Sequence, residues 1–226
     1  MVGMCEKCEQ EHVEKDKEEV VQEVLELTPE QLEALLVEEG DINIPALLET
    51  EMVTSRTLYL SEEITLDTIN HIIMLIHKYN RDDEGIPFEE RMPIILEIDS
   101  VGGDLYRCLS LASTIRSSQT PIISIGRGMI ASAALIIYLS THCRYLSRFA
   151  TVLYHELRAA SDTETLREMQ NKVAHYARLQ EMLDTFIAEN TEVPLKKLKK
   201  KRKKNLDWYI SLEDLTKYKF YEELID

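Results

Sequence analysis

The run Ile94-Ile95-Leu96-Glu97-Ile98-Asp99-Ser100-Val101-Gly102-Gly103 decides how this chain folds. An apolar stretch closed by paired glycines describes a strand buried on both faces that ends in a tight turn. Downstream, a second apolar strand, Pro121-Ile122-Ile123-Ser124-Ile125-Gly126, turns through Arg127-Gly128-Met129-Ile130 into a small-residue segment, Ala131-Ser132-Ala133-Ala134. A third strand, Ala150-Thr151-Val152-Leu153-Tyr154, delivers His155. A helix over 104–117 separates the first two strands and one starting at Ala131 follows the second, so the pattern predicts βαβ units in a parallel sheet. Ligand chemistry in such sheets collects at the carboxyl ends of the strands, where Gly102-Gly103, Ile130 and His155 fall. Glycine-marked strand-to-helix turns offer backbone N–H groups to an oxyanion and a helix start to a nucleophile, and the histidine offers a base.

Composition limits the alternatives. The chain has 226 residues, 44% hydrophobic and 30% charged, enough for one well-packed domain and an appendage. The apolar run from Ala131 to Leu139 is well short of the roughly 20 residues that cross a bilayer. The acidic N-terminus has no apolar signal-peptide core, so the chain is expected to stay in a cytosol. Cys5, Cys8, Cys108 and Cys143 are too scattered for a disulfide framework. The net charge of −15 is unevenly spread: residues 1–40 hold 13 acidic side chains against 3 lysines. That asymmetry marks residues 1–50 as an acidic, partly helical or disordered extension and 51–226 as the folded domain.

Within the extension, Cys5-x-x-Cys8 followed by His12 offers zinc-ligand chemistry, but a closed site needs four ligands and the second half-site is missing. No metal or cofactor is expected. Apolar positions recur at helical spacing from Val20 to Leu27 and again at Leu32, Leu35 and Leu36, with Thr28-Pro29-Glu30-Gln31 as a start signal between them. Gly40 to Glu51 reads as a linker. In the domain, Arg56–Leu60 reads as a strand and Thr65–Tyr79 as a helix with an apolar stripe of Ile69, Ile72, Ile73 and Ile76. Ser161–Asn190 reads as one long helix that projects from the domain. Lys196–Lys204 holds eight cations in nine residues and reads as a solvated basic helix without the interleaved aromatics of a nucleic-acid binder. Asp207-Trp208-Tyr209-Ile210-Ser211 then makes a short strand before a last amphipathic helix.

From about residue 54 onward these motifs resemble the proteolytic subunit of the Clp protease, a self-compartmentalising serine peptidase whose family includes short phage-type members. The resembling features are Asp99-Ser100-Val101-Gly102-Gly103, the pair Arg144-Tyr145, His155 ending its strand in Val152-Leu153-Tyr154-His155, and Asp207 in an Asp-x-aromatic-aliphatic-Ser pattern. The resemblance implies a crotonase-like α/β spiral of ββα units with a projecting long helix. It implies His155 as general base, Asp207 as its carboxylate partner, and Gly103 as an oxyanion donor. It also implies a ring of sibling subunits working with an ATP-driven unfoldase on protein substrates, with no membrane or nucleic acid involved.

The nucleophile departs from the pattern. A gapless match from Gly126 to His155 sets Ile130, with Ala131 as the second oxyanion donor, where the family has its serine, and an isoleucine cannot attack a carbonyl. Two residues along a helix is a rotation of about 200°, which turns Ser132 away from His155 unless Gly126-Arg127-Gly128 bulges by two residues. Two readings therefore stand: a ring subunit with a degenerate site, retaining His155 and Asp207, or an active endopeptidase with Ser132 displaced into the nucleophile's role. A crotonase-like acyl-CoA enzyme has little support, because Arg107, Cys108 and Leu109 occupy the helix where that chemistry wants acidic groups. A non-catalytic scaffold role rests on the likeness to phage members alone.

Overall fold

A computed structural model describes residues 44–159, 163, 165–204 and 206–226. The chain divides into two units, residues 1–55 and 56–226. In the first, helix α1 (Ile44–Ser55) covers most of the stretch expected to be a linker. Pro45 stands in its first turn, where a missing N–H costs nothing, and Ala46-Leu47-Leu48-Glu49 are strong helix formers. The Cys5/Cys8/His12 group and the expected helices before Gly40 lie outside the described residues.

The second unit is built on a parallel sheet in the order β1-β2-β3-β4-β7, with β1 (Thr57–Leu60), β2 (Ile94–Ser100), β3 (Ile122–Ala131), β4 (Cys143–Ser147) and β7 (Glu223–Ile225). Helices α2 (Leu66–Asp82), α3 (Leu105–Ser117) and α4 (Ala133–Ser140) join the first four strands in turn. Local signals set the helix starts. Thr65 and Thr68 bond each other's backbone N–H in a reciprocal cap of α2, and the Asp104 carboxylate accepts the Arg107 N–H at 3.0 Å at the start of α3. The α2 stripe buries Ile69, Ile72, Ile76 and Tyr79, while Ile94, Leu96, Ile98, Leu111 and Ile115 are fully enclosed. Each such side chain contributes about 1.5–3 kcal/mol of transfer free energy. Helix α4 is buried on every side, which explains why it has no amphipathic pattern to read.

Strand β3 serves two neighbours on one side. Ile123–Gly126 pair with β4, and Met129–Ala131 pair with β5 (Thr151–Tyr154). The strand bends between these halves because its register against β2 slips: Ile98 faces Gly126, but Ser100 faces Ile130. Two extra residues thus bulge from β3, and the Asp99 carboxylate accepts the Met129 N–H there at 2.7 Å. A Cβ on Gly128 would stand 2.4 Å from that carboxylate, so any larger residue would displace Asp99 from its bond to Met129.

Strand β6 (Trp208–Ile210) runs antiparallel to β5, with Tyr154 opposite Trp208. Helix α5 (Leu166–Glu189) buries side chains only from Gln180 onward; Leu166 and Val173 in its first half are 72% and 63% exposed, as a projecting helix requires. The basic helix α6 (Leu195–Lys203) differs from the solvated face expected of it. Lys197 bonds Asp214 of α7 (Leu212–Lys217) and lies 4.5 Å from the centre of the Trp208 ring, Lys201 lies over the same ring at 4.9 Å, and Arg202 reaches the buried Asp184. With Lys199 bonded to Glu181, four of the seven cations of this helix are therefore committed to the fold.

At the opposite end of the sheet, Arg56 forks Asp83, with Nη1–Oδ2 and Nη2–Oδ1 distances of 2.6 and 2.7 Å, and the Thr120 hydroxyl donates to the same carboxylate at 2.9 Å. These bonds, Arg56 foremost, hold the Asp83 carboxyl below the usual carboxylate range. A depressed folded-state pKa stabilises the fold at pH values above the unfolded one, and the contribution is lost as pH falls through the folded value. Arg56→Met leaves Asp83 buried and unpaired, and should cost about 3 kcal/mol at pH 7. In thermal unfolding this reads as a drop in Tm of roughly 10 °C that shrinks as pH is lowered towards 3.

Candidate active site

Strand β3 hands over to α4 at Ser132. Its backbone sits at φ 56°, ψ −122°, a region that non-glycine residues rarely occupy and that costs of order 1–3 kcal/mol. The corner is fastened on both sides: the Ser132 N–H donates to the Leu153 carbonyl at 3.0 Å, and the Ser132 carbonyl accepts the Leu135 N–H at 3.1 Å. Ser132 heads the helix without capping it, and among the described residues its hydroxyl makes no hydrogen bond. A serine held in strain at a strand-to-helix corner with a free hydroxyl has the geometry of a nucleophile elbow.

Ile130 is elsewhere. It is fully buried inside β3, opposite Val152 and Ser100, and does not line the cavity at the corner. The helical rotation expected to turn Ser132 away does not apply, because residues 130 and 131 are strand and the helix starts at Ala133. The two-residue bulge that Ser132 needed is present between Gly126 and Ile130. Counting Gly-x-x-x-Ser from Gly128, rather than from Gly126, finds this serine directly. Ala131, expected beside the nucleophile position, is a strand residue, 3% exposed, and Ala133 is the residue that follows the corner serine.

Opposite the corner lies the glycine turn. Gly102 has φ 97°, and a Cβ there would stand 2.7 Å from the Ala131 carbonyl and 2.8 Å from Ser132 Cβ, so the two turns touch through a hydrogen atom's width. The Gly102 carbonyl and the Asp104 N–H bond Ile64, while the Gly103 N–H takes no part in that bridge. The Ala133 N–H, first in α4, likewise has no intrahelical acceptor. Both donors border a cavity of about 240 Å³ whose lining includes Gly103, Ser132, Ala133, His155 and Arg158, with Leu105, Ile136, Leu183 and Ile187 as apolar walls.

His155 follows β5 and lines this cavity with Ser132. Its Nδ1 lies 2.6 Å from the Glu156 carbonyl oxygen. A carbonyl can only accept, so Nδ1 carries the proton and, in the neutral ring, Nε2 keeps its lone pair. That is the tautomer a general base needs. Asp207 precedes β6, and the pairing of Tyr154 with Trp208 sets it one residue further along the ladder, level with His155. The two side chains do not meet. Arg158 Nη2 holds both Asp207 oxygens, at 2.8 and 3.0 Å, and among the described residues no hydrogen bond joins Ser132 to His155. Cys108 also touches the corner, donating from Sγ to the Ala133 carbonyl at 3.2 Å. Burial pushes its thiol up to about 12, so it stays protonated and is no rival nucleophile. Among the described residues no group of three or more His, Cys, Asp or Glu side chains is placed to hold a metal, and no helix is long and apolar enough to cross a membrane.

Comparison with known proteins gives these motifs a context. The Clp protease family model matches residues 46–226. The ATP-dependent Clp protease proteolytic subunit 2 of Treponema pallidum is 26% identical over 182 residues, covering 78% of this chain and 85% of its own length. The subunit of the same description from Borreliella burgdorferi is 26% identical over 185 residues, with 77% and 85% covered. A solved structure of a ClpP1 mutant from Listeria monocytogenes superposes with a TM-score of 0.67 at 19% identity, over 79% of this chain and 96% of that one, a likeness of fold. Gly103, Ser132, His155 and Asp207 all lie inside the span that the family model matches, and the parallel sheet that carries them is the one the Clp fold would supply. The chain therefore belongs to the Clp protease family.

Proposed function

We propose that the chain is a serine-type endopeptidase subunit of a Clp protease in which Ser132 is the nucleophile, His155 the general base and Asp207 the carboxylate that completes the triad. The observation that carries this reading is the strained Ser132 corner, whose hydroxyl is uncommitted and shares a cavity with the Nε2-basic tautomer of His155. In the proposed reaction His155 Nε2 takes the Ser132 proton as Oγ attacks the peptide carbonyl. The Gly103 and Ala133 N–H groups receive the oxyanion, and the imidazolium returns its proton to the leaving amine. Water, activated by the same histidine, releases the acyl group. The apolar cavity wall suits an uncharged side chain next to the scissile bond. The relatives are described as proteolytic subunits of an ATP-dependent protease. For this chain that supports assembly with sibling subunits and an ATP-driven unfoldase acting on protein substrates.

A degenerate subunit is the second reading, favoured by one observation: Asp207 is bonded to Arg158 and not to His155. In our reading that pair marks a resting arrangement. Exposed at 71% and 42%, the two side chains form a weak bridge, worth about 1 kcal/mol or less in water. The carboxylate can therefore leave Arg158 at small cost, and the His155 Nδ1–H then exchanges the Glu156 carbonyl for it.

Two experiments bear on this. Ser132→Ala should abolish labelling by a fluorophosphonate probe and lower peptide hydrolysis by at least about a thousandfold; undiminished labelling would give the nucleophile's role to another residue. Arg158→Gln should raise the labelling rate by up to about fivefold, since that is the factor 1 kcal/mol represents, and added salt should raise the parent chain's rate towards it. A rate that falls in Arg158→Gln would mean that Arg158 binds substrate and does not hold the acid away.

A further inference from the structure

Behind the cavity, the chain on both sides of His155 is tied to one buried carboxylate. Asp184, on the enclosed half of α5, is 0% exposed. Its Oδ1 accepts from the Tyr154 hydroxyl at 2.6 Å and from Gln180 Nε2 at 2.8 Å. Gln180 Oε1 in turn accepts the Leu157 N–H at 2.6 Å. Tyr154 is the residue before His155 and Leu157 stands two after it. Arg202 of the basic helix brings the counter-charge, its Nη2 3.7 Å from Asp184 Oδ2, an oxygen that makes no hydrogen bond.

A carboxylate in such a place is not a device for stability alone. Burying a charge with one oxygen unfilled is expensive, and a leucine of similar volume would pack there at lower cost. What the carboxylate supplies is direction. A rigid acceptor on a helix fixes the tyrosine ring from one side, and through Gln180 it fixes the backbone of the following loop from the other. Burial and the bond to Asp184 keep the Tyr154 phenol protonated, so it remains a donor. Tyr154 also meets the Trp208 ring edge-on, with centroids 6.5 Å apart, directly beside Asp207.

We infer that Asp184 and Gln180 are positioning residues that grip the chain before and after His155 and so set where its imidazole stands relative to Ser132. They act through His155: Asp184 stands outside the cavity, and Gln180, although it lines the cavity, has its amide committed to Asp184 and the Leu157 N–H. The inference rests on the nucleophile assignment only for its kinetic consequence; the placement of the ring can be read separately.

The test uses the full chain carrying Gln180→Met, which keeps the volume and removes both amide bonds, and Tyr154→Phe, which removes one. Turnover of a fluorogenic peptide, thermal unfolding and the nitrogen-15 imidazole spectrum, with His155 assigned by His155→Gln, are measured on each. Gln180→Met should lower kcat about ten- to a hundredfold with KM within about twofold, the scale expected of a misplacement near 1 Å. The His155 signal, single in the parent, should broaden or split at unchanged cooperativity of unfolding, and Tyr154→Phe should show a smaller change of the same kind. An unaltered His155 signal, or an unaltered kcat, in Gln180→Met overturns the inference. An altered signal in a chain whose Ser132→Ala variant still cleaves peptide upholds the positioning role and removes the nucleophile assignment instead.

Discussion

Ser132 can hold a backbone conformation that its Cβ disfavours only because the surrounding chain leaves it no other. The Leu153 carbonyl fixes its N–H, the first turn of α4 fixes its carbonyl, and Gly102 lets the neighbouring turn close to within van der Waals reach of Ser132 Cβ. Strain of order 1–3 kcal/mol is small against a sheet whose central strands bury Ile94, Leu96, Ile98, Ile122 and Ile130 completely. The strain has a geometric product: it lifts one hydroxyl out of the helix's own hydrogen bonding and aims it into the cavity. A relaxed N-cap serine would spend its oxygen on the backbone N–H two or three residues on. The rest of the site follows from this corner, since the Ala133 N–H is free because the helix starts there, and Gly103 faces it because Gly102 can approach.

The parallel sheet was legible because apolar residues run along its strands, although only one face of β2, that of Ile94, Leu96 and Ile98, is fully buried and Glu97 and Asp99 lie on the other; the helices were legible because Thr65 and Asp104 announce them. His155 and Asp207 were legible from short patterns at strand ends. The position of the corner serine proposed as nucleophile was not, and the reason is physical. A bulge changes the count of residues along a strand without changing its apolar pattern, so Gly126 and Gly128 look alike as starting points. What separates them is the Asp99 carboxylate lodged against Gly128, a contact between strands thirty positions apart in sequence that no local reading contains. Strand β7 escaped for a similar reason: three residues, Glu223–Ile225, carry too little pattern until β4 is there to pair with them.

The basic run was misjudged as solvent-facing because its partners are scattered. Lys197 answers Asp214, Lys199 answers Glu181, and Arg202 answers Asp184, three acids spread over two helices. Read by composition, eight cations suggest a surface for an anionic partner; read in space, four of them brace the helix that carries Gln180, Leu183 and Ile187 of the cavity wall against the strand that follows Asp207. The two lysines over Trp208 add to this, since a cation above an indole face is attracted by the ring as well as by nearby carboxylates.

This bracing explains why the parted His155 and Asp207 need not signal a ruined site. Backbone register already sets the two residues level across β5 and β6, and that register depends on buried contacts: Tyr154 against Trp208, Val152 against Ile210. What separates the side chains is an ion pair lying mostly in water, and the protein's investment is therefore unequal. It is large in the arrangement that would bring imidazole and carboxylate together and small in the contact that holds them apart. Meanwhile the Glu156 carbonyl holds the Nδ1–H, so on the proposed reading the step from resting to competent geometry exchanges that carbonyl for the Asp207 carboxylate by rotations of side chains, and leaves the sheet, the strained corner and the Gly103 and Ala133 N–H groups where they are.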